Sequence, residues 1–362
     1  MKAIIIAGGF GTRLRPLTYN TPKAMVPVAN IPFILHQIEL IASYGIKDII
    51  LNLHYLSMSV KSILEKERRP GIRLYYSIEE IPLGTAGAVK NAQEYFDEDP
   101  LLIFNGDILT DLNLKELLSF HKAKKAQATL TLTKVEDPTT YGLVITDKKK
   151  VVKEFIEKPS WERVTANTIN AGIYVIEPRV FREVPFGIEY SFERELFPKL
   201  LKEGQPVYGF ESDAYWIDIG SPQKYMQAHR AILQGEVTVK LRGKEQRKRV
   251  WMGAGSKTTK STKIFSPAIV GKGCDLKADS KLNGFTVLGD HVSVGEGSIL
   301  ANSIVLSGTR IGKDANLSDC IIGFNCRIED QVVISGGAVI ADGTVIKKGS
   351  RIGIEFQTNS RR

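Results

Sequence analysis

The sequence predicts an α/β chain in which a Rossmann-like, mostly parallel sheet is followed by a left-handed parallel β-helix. Short apolar runs alternate with amphipathic stretches from residue 2 to about 235, and aliphatic residues recur every six positions from Ile264 onward. A run of positive charge separates the two patterns. These boundaries divide the 362 residues into a first domain at 1–235, a basic linker at 236–263 and a coil at 264–354. A chain of this length exceeds one simple core.

In the first domain, strands are expected over 3–7, 49–53, 72–77, 101–105 and 129–135, with helices over 32–44, 57–67, 85–95 and 114–124. Gly45 closes the first helix, in the position where a left-handed cap favours glycine. Strand and helix in repetition build a parallel sheet covered on both faces, which binds ligands beyond the C-terminal strand ends.

The aliphatic series of the coil runs Ile264, Val270, Leu276, Leu282, Leu288, Val294, Leu300 and Leu306. It slips by one residue, resumes at Ile311 and Leu317, slips again, and continues every six residues from Ile322 to Ile352. Most residues four places after an aliphatic are small or β-branched, Cys274, Ser280, Thr286 and Cys326 among them. No helix or ordinary strand has this period; three short strands per turn around stacked aliphatics do. The slips fit loops at the corners of the coil.

Composition excludes several classes of function. With 43% hydrophobic and 25% charged residues the chain reads as globular, and no apolar run approaches the roughly 18 residues of a membrane span. Met1 leads directly into Lys2 and a short strand, so the expected location is the cytoplasm. Residues 240–263 hold nine Lys or Arg against Glu245 alone, which accounts for most of the net charge of +9. Without interleaved aromatics this is a solvated linker, and no nucleic-acid partner is expected. Cys274, Cys320 and Cys326 form neither a CxxC pair nor an even set, and are read as small buried residues.

The stretch AGGFGTRLRPLTYNTPK places Gly8, Gly9 and Gly11 after a buried strand, with Arg13, Arg15 and Lys23 nearby. Glycine lets backbone N–H groups approach an anion, and the cations add charge for a polyphosphate. The P-loop pattern GxxxxGK[ST] is absent, and GxGxxG fails because Leu14 stands at its third glycine. In LLIFNGDIL, Asp107 lies at a strand tip, and in YWIDIG, Asp218 lies between apolar neighbours; hard oxygen ligands so placed suit Mg²⁺. FIEKP offers Glu157 for sugar hydroxyls and Lys158 for a phosphate, and INAGIY offers Asn170 beside a close-approach glycine, Gly172.

Together AGGFGTRLRPLT, TPK, PLGTAGA, NGD, EKP, NAG and WIDIG resemble the sugar-1-phosphate nucleotidyltransferases. With a hexapeptide coil behind them they are most similar to the GDP-mannose pyrophosphorylase branch. The resemblance implies attack of a sugar 1-phosphate on the α-phosphorus of a nucleoside triphosphate with loss of pyrophosphate, the substrates being GTP and mannose 1-phosphate. It places Ala7, Gly8, Gly9, Gly11, Thr12, Arg13 and Lys23 on the triphosphate, and Gly84 and Thr85 on the nucleoside. Asn105, Gly142, Glu157, Lys158 and Asn170 surround the sugar phosphate, and Asp107 and Asp218 hold Mg²⁺. Arg13, Lys23, Asp107 and Lys158 form the catalytic group.

Glu79 stands five residues before Gly84, where thymidylyl- and uridylyltransferases of the family tend to carry glutamine. A carboxylate accepts two hydrogen bonds, matching guanine N1–H and its amino group; an exposed acid in the pair Glu79–Glu80 is the plain alternative. Glucose 1-phosphate with UTP, dTTP or ATP is a rival substrate set. A non-catalytic assembly subunit is disfavoured because Arg13, Lys23, Asp107, Lys158 and Asp218 are all present. An acyltransferase coil would need His291 as base, whereas His36, His54, His121 and His229 are read as structural. A homo-oligomer joined through the coil is expected.

Overall fold

The computed structural model describes residues 1–67 and 69–353. The chain divides into two compact units. The first comprises Met1–Phe10, Pro22–Met25 and Ile34–Asp218; the second comprises Gly11–Thr21, Val26–Phe33 and the chain from Ile219 onward.

In the first unit Ala3–Ile6 pairs in parallel with Asp48–Leu53 on one side and Leu101–Asn105 on the other, and Arg73–Ile78 extends the parallel part. Beyond Leu101–Asn105 the sheet is mixed, because Thr168–Ile176 runs antiparallel and joins it to Gly142–Thr146, Val152–Glu157 and Ala128–Lys134. The predicted helices form as Phe33–Ser43, Ser57–Lys66, Gly84–Asn91 and Leu114–Lys124. Strands buried on both faces need continuous apolar runs, and Ile4, Ile50, Leu101 and Ile103 are fully buried in one core with Leu130 and Tyr174.

Two close backbone approaches shape the ligand side of this sheet. A Cβ on Gly106 would lie 2.5 Å from the Ile6 carbonyl oxygen, which accepts instead from Gly106 N at 2.8 Å. A Cβ on Gly87 would lie 2.7 Å from the carbonyl oxygen of Ile188. Only glycine brings these segments together.

In the second unit the period-six prediction becomes three parallel sheets of two- and three-residue strands, the architecture of a left-handed β-helix. One inward column reads Leu282, Leu300, Leu317, Ile334 and Ile352; a second reads Val270, Leu288, Val305, Ile322 and Ile340; a third reads Leu276, Val294, Ile311, Ile328 and Ile346. The second column corrects the expected register, because Val305 rather than Leu306 stacks beneath Leu288. The shortened step falls between Leu300 and Val305. Neighbouring residues of a strand face opposite sides, so Leu306 stays outside the axial cluster although it is buried.

With that register the small residue sits two places before each stacked aliphatic, and Ser303, Thr309 and Cys320 complete the series. All three cysteines are therefore inward, buried and free. Burial pushes the Cys320 thiol up to about 11. The residue three places before each aliphatic turns the corner with positive φ, as at Phe285, His291, Asn302, Asp319 and Asn325. His291 is thus a corner residue, its ring filling the space over Gly273.

The stretch expected as a basic linker holds two strands, Lys244–Arg247 and Val250–Met252, and the latter pairs in parallel with Ala268–Val270. The coil therefore starts near Val250. Its first turn was hidden because Thr258 interrupts the aliphatic series between Met252 and Ile264, amid lysines. The expected final residue of the coil, 354, lies outside the described residues. The second unit also contains a hairpin, Pro27–Val28 with Ile31–Pro32, whose turn residues Ala29 and Asn30 both have positive φ. Tyr225 of helix Pro222–Gln234 donates to Pro27 O at 2.5 Å, and Asn30 Nδ2 donates to Leu288 O at 2.6 Å.

Truncating a stacked aliphatic removes buried surface and leaves an axial cavity. Leu300→Ala is expected to cost about 2–5 kcal/mol, whereas Val345→Ala, at a half-exposed site, is expected to cost under about 1 kcal/mol. Urea unfolding followed by far-UV circular dichroism separates the two.

Candidate active site

The loop after Ala3–Ile6 is held from below. Ala7 N donates to Asn52 O at 2.9 Å, and Tyr55 N donates to Gly8 O at 3.5 Å. A Cβ on Gly8 would meet Glu79 Oε1 at 3.3 Å and His54 Cβ at 3.2 Å, whereas Gly9 faces open space. Glu79 is not the exposed acid of the alternative reading: it is 6% exposed, its Oε2 accepts from Leu83 N at 3.0 Å, and His54 Nδ1 donates to its carbonyl at 2.8 Å. Burial pushes its carboxyl upward, opposed by the Leu83 amide.

Lys23, in the turn Lys23–Met25, forms an ion pair with Asp107 at 2.5 Å. Gln37 Nε2 donates to Asn105 O at 2.8 Å and to Ile108 O at 2.9 Å, bracing the turn that carries Asp107. Trp216–Asp218 pairs antiparallel with Ile108–Thr110 and sets Asp218 opposite Ile108, the residue after Asp107. Asp218 is 7% exposed and accepts from the Tyr141 hydroxyl at 2.9 Å. The same Tyr141 accepts through its carbonyl from Lys158 N at 2.9 Å. Tyr141 and strand pairing thus connect Lys23, Asp107, Asp218 and the backbone of Lys158. Among the described residues no cluster of three or more metal-binding side chains exists. Asp107 in its turn and Asp218 on the strand beside it are hard oxygen donors that could hold Mg²⁺, an ion that keeps several waters when bound by one or two carboxylates.

Glu157 ends strand Val152–Glu157 directly opposite Gly142. A Cβ on Gly142 would lie 2.5 Å from the Phe155 ring and 3.1 Å from Glu157 Oε2, so the glycine leaves that carboxylate its room. Burial pushes the Glu157 carboxyl upward and the charge of Glu193 adds to this, while Lys158 and Arg194 oppose it. Lys158 is exposed with φ of 48°, left-handed backbone that few non-glycine residues adopt. Gly172, with φ of 69°, would place a Cβ 2.6 Å from Asn105 Nδ2. The close-approach glycine therefore seats Asn105, whose Oδ1 is buried without a hydrogen-bond partner among the described residues.

Gly11, Thr12 and Arg13 belong to the second unit. Gly11 has φ of 63° and leads into the single turn Thr12–Leu14, with Thr18 Oγ1 donating to Gly11 O at 2.8 Å. Thr12 and Arg13 are exposed. In the first unit Gly84, with φ of 71°, opens helix Gly84–Asn91. Thr85 Oγ1 accepts from Phe192 N at 2.8 Å and donates to Glu193 Oε2 at 3.0 Å, so its hydroxyl fastens the helix start to the 190s segment.

Sequence reasoning missed Tyr141, Tyr174, Glu193 and Gln37, which touch the expected residues from distant parts of the chain. Tyr141 stood beside Gly142, yet nothing local marks a hydroxyl that reaches Asp218. His121 is buried between Thr129 and Glu177, and burial depresses its pKa.

Gly172→Ala combines positive φ with a clash at Asn105, and is expected to destabilise the fold by about 1–3 kcal/mol. The midpoint of urea denaturation measures it.

Residues 2–235 match the family model described as nucleotidyl transferase, and residues 264–355 match that of the GMPPB C-terminal domain. The UTP–glucose-1-phosphate uridylyltransferase of Synechocystis is 33% identical over 337 residues, 89% of this chain and 87% of its own. The mannose-1-phosphate guanylyltransferase of Mycobacterium tuberculosis is 35% identical over 302 residues, 83% of each chain. The mannose-1-phosphate guanyltransferase of Candida albicans is 34% identical over 352 residues, 96% of this chain and 92% of its own. Among solved structures, HddC from Yersinia pseudotuberculosis complexed with GMP-PN shares 29% identity and a TM-score of 0.56, over 64% of this chain and 99% of that one. With its motifs in order along the matched span, the chain belongs to the nucleotidyl transferase family.

Proposed function

We propose that the protein transfers the guanylyl group of GTP to mannose 1-phosphate, releasing pyrophosphate and forming GDP-mannose. The observation that carries this is the connected set of Lys23 paired with Asp107, Asp218 on the strand beside the Asp107 turn, and Lys158 joined by its backbone to Tyr141, whose hydroxyl meets Asp218. Such a set suits two phosphate-bearing substrates meeting at one phosphorus.

The phosphate oxygen of the sugar 1-phosphate forms a bond to the α-phosphorus as the bond to the β-phosphate bridging oxygen breaks. No protein nucleophile is required, because the incoming phosphate is already anionic. Ala7, Gly8, Gly9 and Lys23 cradle the triphosphate, joined in this reading by Gly11, Thr12 and Arg13 from the motif. Lys23 and Arg13 neutralise the departing pyrophosphate, and Lys158 orients the sugar phosphate. Asp107 and Asp218 would hold Mg²⁺, which supplies charge neutralisation across the attacking and leaving oxygens. Gly142, Glu157, Asn170 and Asn105, whose buried Oδ1 lacks a protein partner, surround the sugar in this reading.

GTP is favoured by Glu79, whose carboxylate lies against Gly8 and presents only acceptors. The guanylyltransferase relatives support the same choice. The Synechocystis uridylyltransferase supports a second reading, UTP with glucose 1-phosphate. Among the described residues no helix is long and apolar enough to cross a membrane. A cytoplasmic homo-oligomer joined through the coil completes the proposal.

Pyrophosphate release across four nucleotides and several sugar 1-phosphates with Mg²⁺ tests it, GTP with mannose 1-phosphate being the expected best pair. No release with any pair would refute the enzymatic reading. Lys158→Ala is expected to lower kcat/KM about 100-fold or more. Glu79→Gln is expected to reduce the preference for GTP over UTP; an unchanged ratio would remove Glu79 from base recognition.

A further inference from the structure

Glu193 lies in the π-helical turn Phe192–Leu196, a rare kind of helix found frequently at functional sites. Its carboxylate is not needed as a cap, because Ser191 Oγ already accepts from Glu193 N at 3.1 Å and Arg194 N at 3.2 Å. Instead it collects three hydroxyl donors: Thr85 at 3.0 Å, Ser191 at 2.8 Å and Tyr174 at 3.3 Å. Those groups come from the start of helix Gly84–Asn91, the turn itself and the centre of strand Thr168–Ile176.

A carboxylate can only accept, so the single proton of the fully buried Tyr174 hydroxyl is directed to Glu193. Its lone pairs must then face Asn170, whose Nδ2 donates to it at 2.7 Å. Gly172 N, which can only donate, holds Oδ1 of this amide at 3.0 Å, so the nitrogen falls on the tyrosine side and needs Tyr174 as its acceptor. We propose that Glu193 is a positioning residue for the sugar 1-phosphate, keeping the Tyr174 hydroxyl turned so that it accepts from Asn170 and holds that side chain in place. The proposal rests on the nucleotidyl-transfer reading above.

Glutamine at this position would offer an N–H to Tyr174 and let its proton turn toward Asn170 Nδ2, so that the amide, still held by Gly172 N, loses its acceptor and shifts. It would also remove a negative charge facing Glu157, whose other charged or titratable neighbours are Lys158, Arg194 and Tyr174. The sign follows directly. Glu157 accepts sugar hydroxyls as the ionised form, and a neighbouring negative charge raises the pH at which that form is lost. Removing the charge moves the loss to lower pH.

The test is steady-state pyrophosphate release by the full chain with GTP, mannose 1-phosphate and Mg²⁺, comparing wild type, Glu193→Gln and Tyr174→Phe. Both variants are expected to raise KM for mannose 1-phosphate about tenfold, with KM for GTP changed less than about twofold. In Glu193→Gln alone, the acid limb of kcat/KM for the sugar phosphate should move to lower pH. Unchanged sugar-phosphate KM in the folded variants, with only a lowered melting temperature, would overturn the positioning role. If Glu193→Gln does not fold, Tyr174→Phe decides, since it removes one hydroxyl and keeps the ring packing. A wild type that releases no pyrophosphate would overturn the nucleotidyl-transfer reading itself, and this role with it.

Discussion

The first unit depends on the parallel pairing of Ala3–Ile6 with its two neighbours, sealed by the close approach of Gly106 to Ile6. That pairing aligns the C-terminal ends of the three strands, so the residues after them share one edge. Gly8 and Gly9 follow the first strand and Asp107 the second. His54 follows the third, and Glu79, after the adjoining strand, closes under Gly8. An apolar sheet buried on both faces cannot slip in register without exposing its core, so this edge is rigid. Phosphate chemistry needs that rigidity, because positioning supplies most of its acceleration.

The charged groups gathered there are joined by backbone as much as by side chains. Trp216–Asp218 reaches Asp107 by pairing with Ile108–Thr110, and Tyr141 spans from its carbonyl on Lys158 to its hydroxyl on Asp218. The segment that carries Asn170 is ordered differently, by hydrogen bonds that run from the acceptor-only carboxylate of Glu193 through Tyr174 to the Asn170 amide. Positive φ at Lys158 shows local backbone preference giving way to the tertiary fold.

The coil obeys a simpler constraint. Each turn needs one aliphatic per strand on the axis, a small residue two places earlier and a left-handed corner before that. Val305 and the missing aliphatic at Thr258 show how little the rule tolerates a shifted residue and how well it tolerates an absent one. A shift reverses which side chain faces inward, whereas an absence leaves the backbone ladder intact.

By itself the sequence determined the element types, the change of period at the coil, and the identity of residues at strand ends. Those are local properties: alternation, helical spacing and glycine placement act within a few residues. Only the tertiary structure decided that Glu79 is buried beneath the loop, that Asp218 stands beside the Asp107 turn, that Thr85 is spent on Glu193, and that the coil begins near Val250. Each of these is a contact between segments distant along the chain, or a register in which one residue reverses the face. Such choices are made by packing, and pattern along the chain carries no record of which distant partner completes it.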